Sequence, residues 1–362
     1  MIAGGGTGGH LFPALAVHEV LCARRPEAHV LFVGAAHGVE AGMLPRRGYA
    51  FRGLAAAPVS GRGVRGRLAA ALGLPGTVRE ALRILREFRP QVILGMGGYA
   101  SVPTMLAAVL RRTPRVIHEQ NAVPGLANRW LGRMAHLVAV SFADSARFFP
   151  AGRTEVTGNP VRAEIRVGDA GAARERLGLA RDAFTVLVVG GSQGAHRLNQ
   201  AVREALPDLA ADGASLQFVH ATGARDLSEV RRAYEAAGVR GVIEPFIEQM
   251  APAYQAADFV VCRAGAGTVF ELAAVGKPAL LVPYPHAAND HQRLNAEAAV
   301  HAGAAWILAD QHCDGWRLAA SVRAAREKPA QLVEMGRKAR VLARPDAADR
   351  VADLVEQIAR KG

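Results

Sequence analysis

The chain has 362 residues, half of them hydrophobic, and a formal net charge of +12. That length predicts two domains, each with its own core, while no run approaches the ~18 apolar residues of a membrane span and no signal peptide opens the chain, so a cytoplasmic protein is expected. The positive charge implies an anionic partner; with only 6% aromatic residues and no RNA-binding, zinc-finger or basic-zipper signature, nucleic acid is disfavoured against a phosphorylated substrate or an acidic membrane surface.

Met1-Ile2-Ala3 reads as a first strand, followed by the turn Gly4-Gly5-Gly6-Thr7-Gly8-Gly9-His10 and a helix from about Pro13 to Arg25. His29 to Val33 is the next strand, Val78 to Phe88 a helix, Gln91 to Leu94 a strand leading into Gly95-Met96-Gly97-Gly98-Tyr99, and Val102 to Arg112 a helix. Strands are expected at Arg115 to His118 and at Leu137 to Ser141. The second half repeats the alternation, with strands at Thr185 to Val189, Gln217 to His220, Phe259 to Cys262 and Ala279 to Pro283. Two of these lead into glycine turns, Gly190-Gly191-Ser192-Gln193-Gly194 and Gly265-Ala266-Gly267-Thr268. The fold class is therefore α/β, with two doubly wound Rossmann-like domains facing a cleft. The boundary falls at Gly158-Asn159-Pro160-Val161-Arg162, which gives domains at 1–160 and 161–340 and a terminal segment 341–362 containing an amphipathic helix.

A turn without side chains lets backbone N–H groups approach a ligand, and a helix that starts there adds its positive dipole end. Four such turns, two in each half, point to phosphate or sugar binding. A dinucleotide site would need an acid ending the second strand, and that strand ends Leu31-Phe32-Val33-Gly34, with Glu40 several residues into the following loop. No Gly-x-x-x-x-Gly-Lys-Ser/Thr segment is present, which disfavours a P-loop. Cys22, Cys262 and Cys313 have no paired spacing, and no Asp-x-Asp pair occurs, so neither a disulfide framework nor a metal site is expected.

His10 closes the first turn at a helix start, where the dipole favours the neutral imidazole that a general base needs; a capping histidine is the other reading. Glu271 lies one helical turn after Gly267, either accepting hydrogen bonds from ribose hydroxyls or simply favouring the helix dipole. His118-Glu119-Gln120-Asn121 follows a strand, with Asn128 two helical turns beyond Asn121 if that segment is helical. Pro283 to Asn295 forms a second polar cluster suited to sugar hydroxyls. The stretch Arg62 to Pro75 interleaves arginines with Leu68, Leu72 and Leu74, and reads equally as a membrane-facing patch or as a solvated loop.

In combination and order these motifs resemble the MurG family, the bacterial peptidoglycan glycosyltransferases, over nearly the whole chain. The resemblance implies the glycosyltransferase B fold, without a cofactor, and transfer of N-acetylglucosamine from UDP-N-acetylglucosamine to the muramyl 4-hydroxyl of the undecaprenyl-pyrophosphoryl-pentapeptide carrier. It also implies that the protein sits peripherally on the cytoplasmic face of an anionic membrane, with other wall-synthesis proteins as expected partners. Other UDP-sugar-dependent lipid glycosyltransferases, UDP-N-acetylglucosamine epimerases and non-catalytic UDP-sugar binders are the alternatives. Carried over to this sequence, Thr7, Gly8, Gly9, Asn121 and Arg162 border the donor, Ser192 meets a phosphate, and the Ile247 backbone reads uracil. Ala266, Gly267 and Thr268 hold the diphosphate, Glu271 the ribose and Gln292 the transferred sugar. Gly97, Gly98, Tyr99 and Asn128 face the acceptor, and the base is His10 or, second, Glu119. One departure stands out: the family usually has Ser-Gly-Ala-Leu-Thr where this chain has Ala264-Gly265-Ala266-Gly267-Thr268.

Overall fold

The computed structural model describes residues 1–56, 64–212 and 215–360, and for 64–71 the backbone alone. It divides into two units, Met1–Arg162 with Arg344–Gly362, and Ala163–Ala343.

The first unit contains β1 (Ile2–Gly4), α1 (Gly8–Arg24), β2 (Phe32–Ala35), α2 (Val39–Arg46), β3 (Phe51–Leu54), α3 (Val64–Phe88), β4 (Ile93–Gly97), α4 (Ser101–Leu110), β5 (Arg115–Glu119), α5 (Leu126–Gly132), β6 (Leu137–Val140) and β7 (Thr154–Val156). Among the described residues its strands form one parallel sheet in the order β3-β2-β1-β4-β5-β6-β7. Both faces are covered, so the central strands β1, β2, β4 and β6 are apolar and alternate residues feed two cores. Ala3, Val33 and Ile93 pack with Ile84 and Leu85 of α3 and Met105 of α4. Ile2, Phe32, Leu94 and Met96 pack on the other face with Leu11 and Leu15 of α1.

The second unit contains α6 (Ala163–Arg166), α7 (Ala170–Arg176), β8 (Phe184–Val189), α8 (His196–Ala211), β9 (Leu216–Ala221), α9 (Leu227–Ala237), β10 (Arg240–Glu244), α10 (Met250–Ala256), β11 (Phe259–Cys262), α11 (Ala266–Val275), β12 (Ala279–Leu281), α12 (His291–His301), β13 (Ala305–Ile307), α13 (Gly315–Glu327) and α14 (Pro329–Leu342). Its described strands form a second parallel sheet, β10-β9-β8-β11-β12-β13.

The last helix, α15 (Ala347–Ala359), returns to the first unit. Val351, Val355 and Ile358 complete the core beside α1, and Arg24 pairs with Asp349 and Asp353 at 2.8 and 2.6 Å. Those pairs are solvent-exposed and each contributes at most about 1 kcal/mol, so the buried apolar face holds the helix.

Several boundaries differ from the sequence reading. The helix expected from Pro13 begins at Gly8 and carries Pro13 in its second turn, so the proline does not mark its start. Residues 341 and 342 finish α14 rather than opening the terminal segment. The helix expected from Val78 starts at Val64 and runs through Pro75. Glu40 lies in the first turn of α2, not in a loop.

Candidate active site

In an open parallel sheet, ligands bind beyond the carboxyl ends of the strands where the strand order reverses. In the first unit that point lies between β1 and β4, and in the second between β8 and β11. All four glycine turns follow those four strands.

The first two turns pack directly against each other. Gly98 has φ +78°, and a Cβ there would run into the Gly5 carbonyl, so only glycine fits. Tyr99 lies against Gly6, and His10 and Asn128 lie against Gly97. Thr7 is the extended N-cap residue of α1, so Gly8, Gly9 and His10 form that helix's first turn. Beneath the turn, the buried Glu40 carboxylate accepts hydrogen bonds from the Gly6 N–H at 3.0 Å and the Ala35 N–H at 2.8 Å. One donor of the first turn therefore faces an acid and is not presented to a phosphate.

The run after β5 divides its work. Glu119 is 2% exposed. Its Oε1 accepts from the Asn121 backbone and side chain at 2.9 and 3.1 Å, and its Oε2 from Asn128 at 2.9 Å. Burial pushes its carboxyl up, against the opposing pull of those hydrogen bonds. Asn121 precedes α5 and Asn128 lies on it, so the proposed two-turn helical spacing does not hold; Glu119 joins them instead. His118 is fully buried, which pushes its imidazole down to about 4. Gln120 sits between this ring and His10. Arg162, at the end of the unit, stacks its guanidinium 4.5 Å from the Phe12 ring of α1.

In the second unit the third turn is held by the loop after β9: Gly194 has φ +75°, and a Cβ would strike the Thr222 carbonyl. Ser192 is exposed at the turn's tip. Gly223 N–H donates to the Pro245 carbonyl at 2.9 Å, which ties this loop to the segment carrying Ile247. The fourth turn opens α11, with Gly265 as N-cap and Ala266, Gly267 and Thr268 as the first turn. Gln292 Oε1 accepts from the Ala264 and Tyr284 N–H groups at 3.2 and 3.0 Å, and Asn295 donates to the Ala264 carbonyl at 3.2 Å. Glu271 is half-buried and accepts from the Tyr254 hydroxyl at 2.9 Å.

Sequence reasoning assigned no role to Glu40 or Asn199. Asn199 is buried on α8, where it donates to the Thr222 carbonyl and to Asp226. Nothing in its spacing marks it, because its partners come from a different element. Of the leucines expected to face a membrane, Leu72 is 81% exposed and Leu74 half-buried, while the side chain of Leu68 lies outside the described residues, as do Arg62 and Gly63. Among the described residues no helix is long and apolar enough to cross a membrane, and no three His, Cys, Asp or Glu side chains group as metal ligands.

Two parallel α/β units with paired glycine turns at both switch points define the class, a glycosyltransferase of the B fold. Residues 1–140 match the glycosyltransferase family 28 N-terminal domain, and residues 185–351 the family 28 C-terminal domain. The chain is 46% identical to a protein of Geobacter sulfurreducens, covering 100% of this chain and 99% of that one. It is also 46% identical to one of Citrifermentans bemidjiense, covering 97% of each. Both carry the name UDP-N-acetylglucosamine--N-acetylmuramyl-(pentapeptide) pyrophosphoryl-undecaprenol N-acetylglucosamine transferase. The crystal structure of Acinetobacter baumannii MurG superposes with a TM-score of 0.74 at 32% identity, covering 99% of this chain and 98% of that chain. The chain belongs to the MurG family within glycosyltransferase family 28.

Proposed function

We infer that the chain transfers N-acetylglucosamine from UDP-N-acetylglucosamine to the 4-hydroxyl of the undecaprenyl-linked muramyl-pentapeptide, with His10 as the base. The observation that carries the transfer is the full-length, 46% identity to relatives bearing that transferase's name. His10 removes the hydroxyl proton, and the oxygen attacks the anomeric carbon. The bond from that carbon to the diphosphate oxygen breaks, UDP leaves with the electron pair, and the α-linked donor becomes a β-1,4 link.

His10 is preferred to Glu119 because both Glu119 oxygens are committed to holding Asn121 and Asn128, and its carboxylate is buried. Glu119 is thereby a positioning residue for the two asparagines, with Gly97, Gly98 and Tyr99 beside them at the acceptor. Thr7, Gly8, Gly9, Asn121 and Arg162 border the donor sugar. Charge developing on UDP meets the N-terminus of α11 at Ala266, Gly267 and Thr268 and the Ser192 turn, fixed dipoles that need no reorganisation. Glu271, oriented by Tyr254, takes the ribose; the backbone at Ile247 takes uracil, and Gln292 the transferred sugar. Leu72, exposed on a helix that also carries Arg79 and Arg83, supports a peripheral seat on the anionic cytoplasmic face of the membrane.

The test is direct. Purified protein incubated with labelled UDP-N-acetylglucosamine and a short-chain lipid acceptor is expected to yield the disaccharide lipid, with activity retained in EDTA. Free sugar or an epimerised nucleotide as the main product would overturn the reading. Co-sedimentation with anionic but not neutral vesicles, weakened by Leu72→Asp, checks the membrane seat.

A further inference from the structure

Behind His10 lies a chain of hydrogen bonds whose direction is fixed at both ends by backbone carbonyls. Gln120 is 2% exposed, and its side chain reaches four groups. One atom lies 2.8 Å from the Met96 carbonyl at the end of β4. A carbonyl only accepts, so that atom is the amide nitrogen, and a flipped amide would set oxygen against oxygen. The same nitrogen lies 3.1 Å from His118 Nδ1 and 3.4 Å from the His118 carbonyl, and because an amide nitrogen only donates, Nδ1 faces it with its lone pair. His118 then carries its own proton on Nε2, and Nε2 lies 3.2 Å from the Gly158 carbonyl, which again requires a donor. The two carbonyls demand the same arrangement independently.

The remaining Gln120 atom, Oε1, lies 3.2 Å from His10 Nδ1. An amide oxygen only accepts, so His10 is protonated on Nδ1 and its lone pair is on Nε2. We propose that Gln120 is a positioning residue that sets the tautomer of His10, holding the proton on Nδ1 so that Nε2 is the basic nitrogen. The inference rests on His10 as the base of the transfer. Gln120 thus does for His10 what a buried carboxylate does in a serine-hydrolase triad, but with a neutral group. An amide orients the ring without adding the negative charge that would favour imidazolium, the form that cannot accept a proton. His118 supports this: burial keeps its ring neutral, so the lock is not undone by protonation near neutral pH.

The experiment uses the full chain labelled with nitrogen-15 at histidine, with the His10 signals assigned by their loss in His10→Gln. Long-range nitrogen–proton spectra at neutral pH distinguish the two neutral tautomers. The wild type is expected to show the Nδ1–H pattern for His10. Gln120→Met removes the acceptor and is expected to shift His10 towards Nε2–H and lower kcat about 10–100-fold, with the KM for UDP-N-acetylglucosamine little changed. Gln120→Glu keeps an oxygen facing His10 Nδ1 and is expected to keep the Nδ1–H pattern and more of the turnover. A purely structural role predicts the opposite order, since glutamate loses the donor to Met96 and His118 and buries a charge. A wild-type Nε2–H pattern, or identical His10 spectra in all three proteins, overturns the proposal. If His10→Gln retains turnover, the base assignment falls, while the spectra still decide the role of Gln120. A thermal shift with UDP verifies that each variant is folded.

Discussion

Each unit places a histidine in the first turn of the helix that follows its first glycine turn, and behind each runs a relay to a fully buried histidine. In the first unit the relay runs from His10 through Gln120 to His118. In the second it runs from His196 through Asp226 and Asn199 to His220, with Tyr234 3.3 Å beyond. The topology is alike but the charge is not. His10 meets an amide, whereas His196 meets a carboxylate whose acidity burial weakens but hydrogen bonds from Asn199 and His196 more than restore. On the transfer proposed above, the amide sets the tautomer of His10 without adding charge, whereas the Asp226 carboxylate holds the His196 ring through a charge. The two units thus build a similar relay on a similar scaffold with different partners.

The sharpest way to break this comparison is to remove each histidine in turn. His10→Ala is expected to lower kcat by about 10²–10⁴ while the thermal shift produced by UDP is unchanged. His196→Ala is expected to raise the KM for the donor and lower kcat less than about tenfold. Equal kcat losses in both variants would show that the two relays do not differ in kind.

Next in size is the hub of the second relay. Asn199 donates at 2.7 Å to the Thr222 carbonyl and at 2.8 Å to Asp226, and accepts from His220 Nε2 at 3.0 Å. Asn199→Ala leaves the Thr222 carbonyl and His220 Nε2 buried without this partner and takes one hydrogen bond from Asp226, which keeps His196, so a loss of about 2–4 kcal/mol in urea unfolding is expected. The third turn rests on Thr222, so donor binding should weaken in parallel. A variant of wild-type stability would mean that the relay carries little of the unit.

The buried ends of both relays also set a pH dependence. Burial pushes His118 down to about 4 and His220 to about 3, against ~6.5 for an unfolded chain. Above that value both states are neutral and the rings contribute no pH dependence. As pH falls, the unfolded chain takes up protons that the native rings refuse, so stability is lost from about pH 6.5 down through the native values. By pH 5 the loss is about 2 kcal/mol for each ring. Urea midpoints measured between pH 7 and pH 5 check this, and replacing either histidine by asparagine should flatten the slope.

How far the sequence carried these relays follows from where their parts lie. The central strands were readable because both faces are buried and their residues form unbroken apolar runs such as Val186-Leu187-Val188. The four strands that went unread, β3, β7, β10 and β13, are the four sheet edges among the described residues. β3, β7 and β10 are partly polar, as Thr154-Glu155-Val156 and Arg240-Gly241-Val242 show, and so give no apolar run, whereas β13, Ala305-Trp306-Ile307, is apolar and was passed over without that reason. At the site, His10 was marked by its place beside the glycines, and Glu119 by its place after a strand. Gln120 and Glu40 could not be singled out, because what defines them is a partner 110 and 34 residues away. Glu119 was visible as an acid, but only the positions of Asn121 and Asn128 reveal that it holds two amides.

The smallest expected effect concerns the fourth turn, where this chain departs from its family. Gly267 is the second residue of α11, and a Cβ built there meets nothing within 4 Å. Its backbone does not need glycine, unlike Gly98 and Gly194 in the second and third turns. A glycine inside a helix costs up to about 1 kcal/mol relative to alanine because the unfolded chain has more freedom to lose. Gly267→Ala is therefore expected to raise the stability of the second unit by about 0.5 kcal/mol, read as a higher urea midpoint. It should also lower the KM for the donor slightly, since the N–H groups of this turn need less ordering when the diphosphate arrives. Gly267→Leu, which restores the residue usual in the family, separates that effect from direct contact: a further fall in KM beyond the alanine variant would mean that the side chain touches the donor, and an equal KM that only backbone stiffness was lost here.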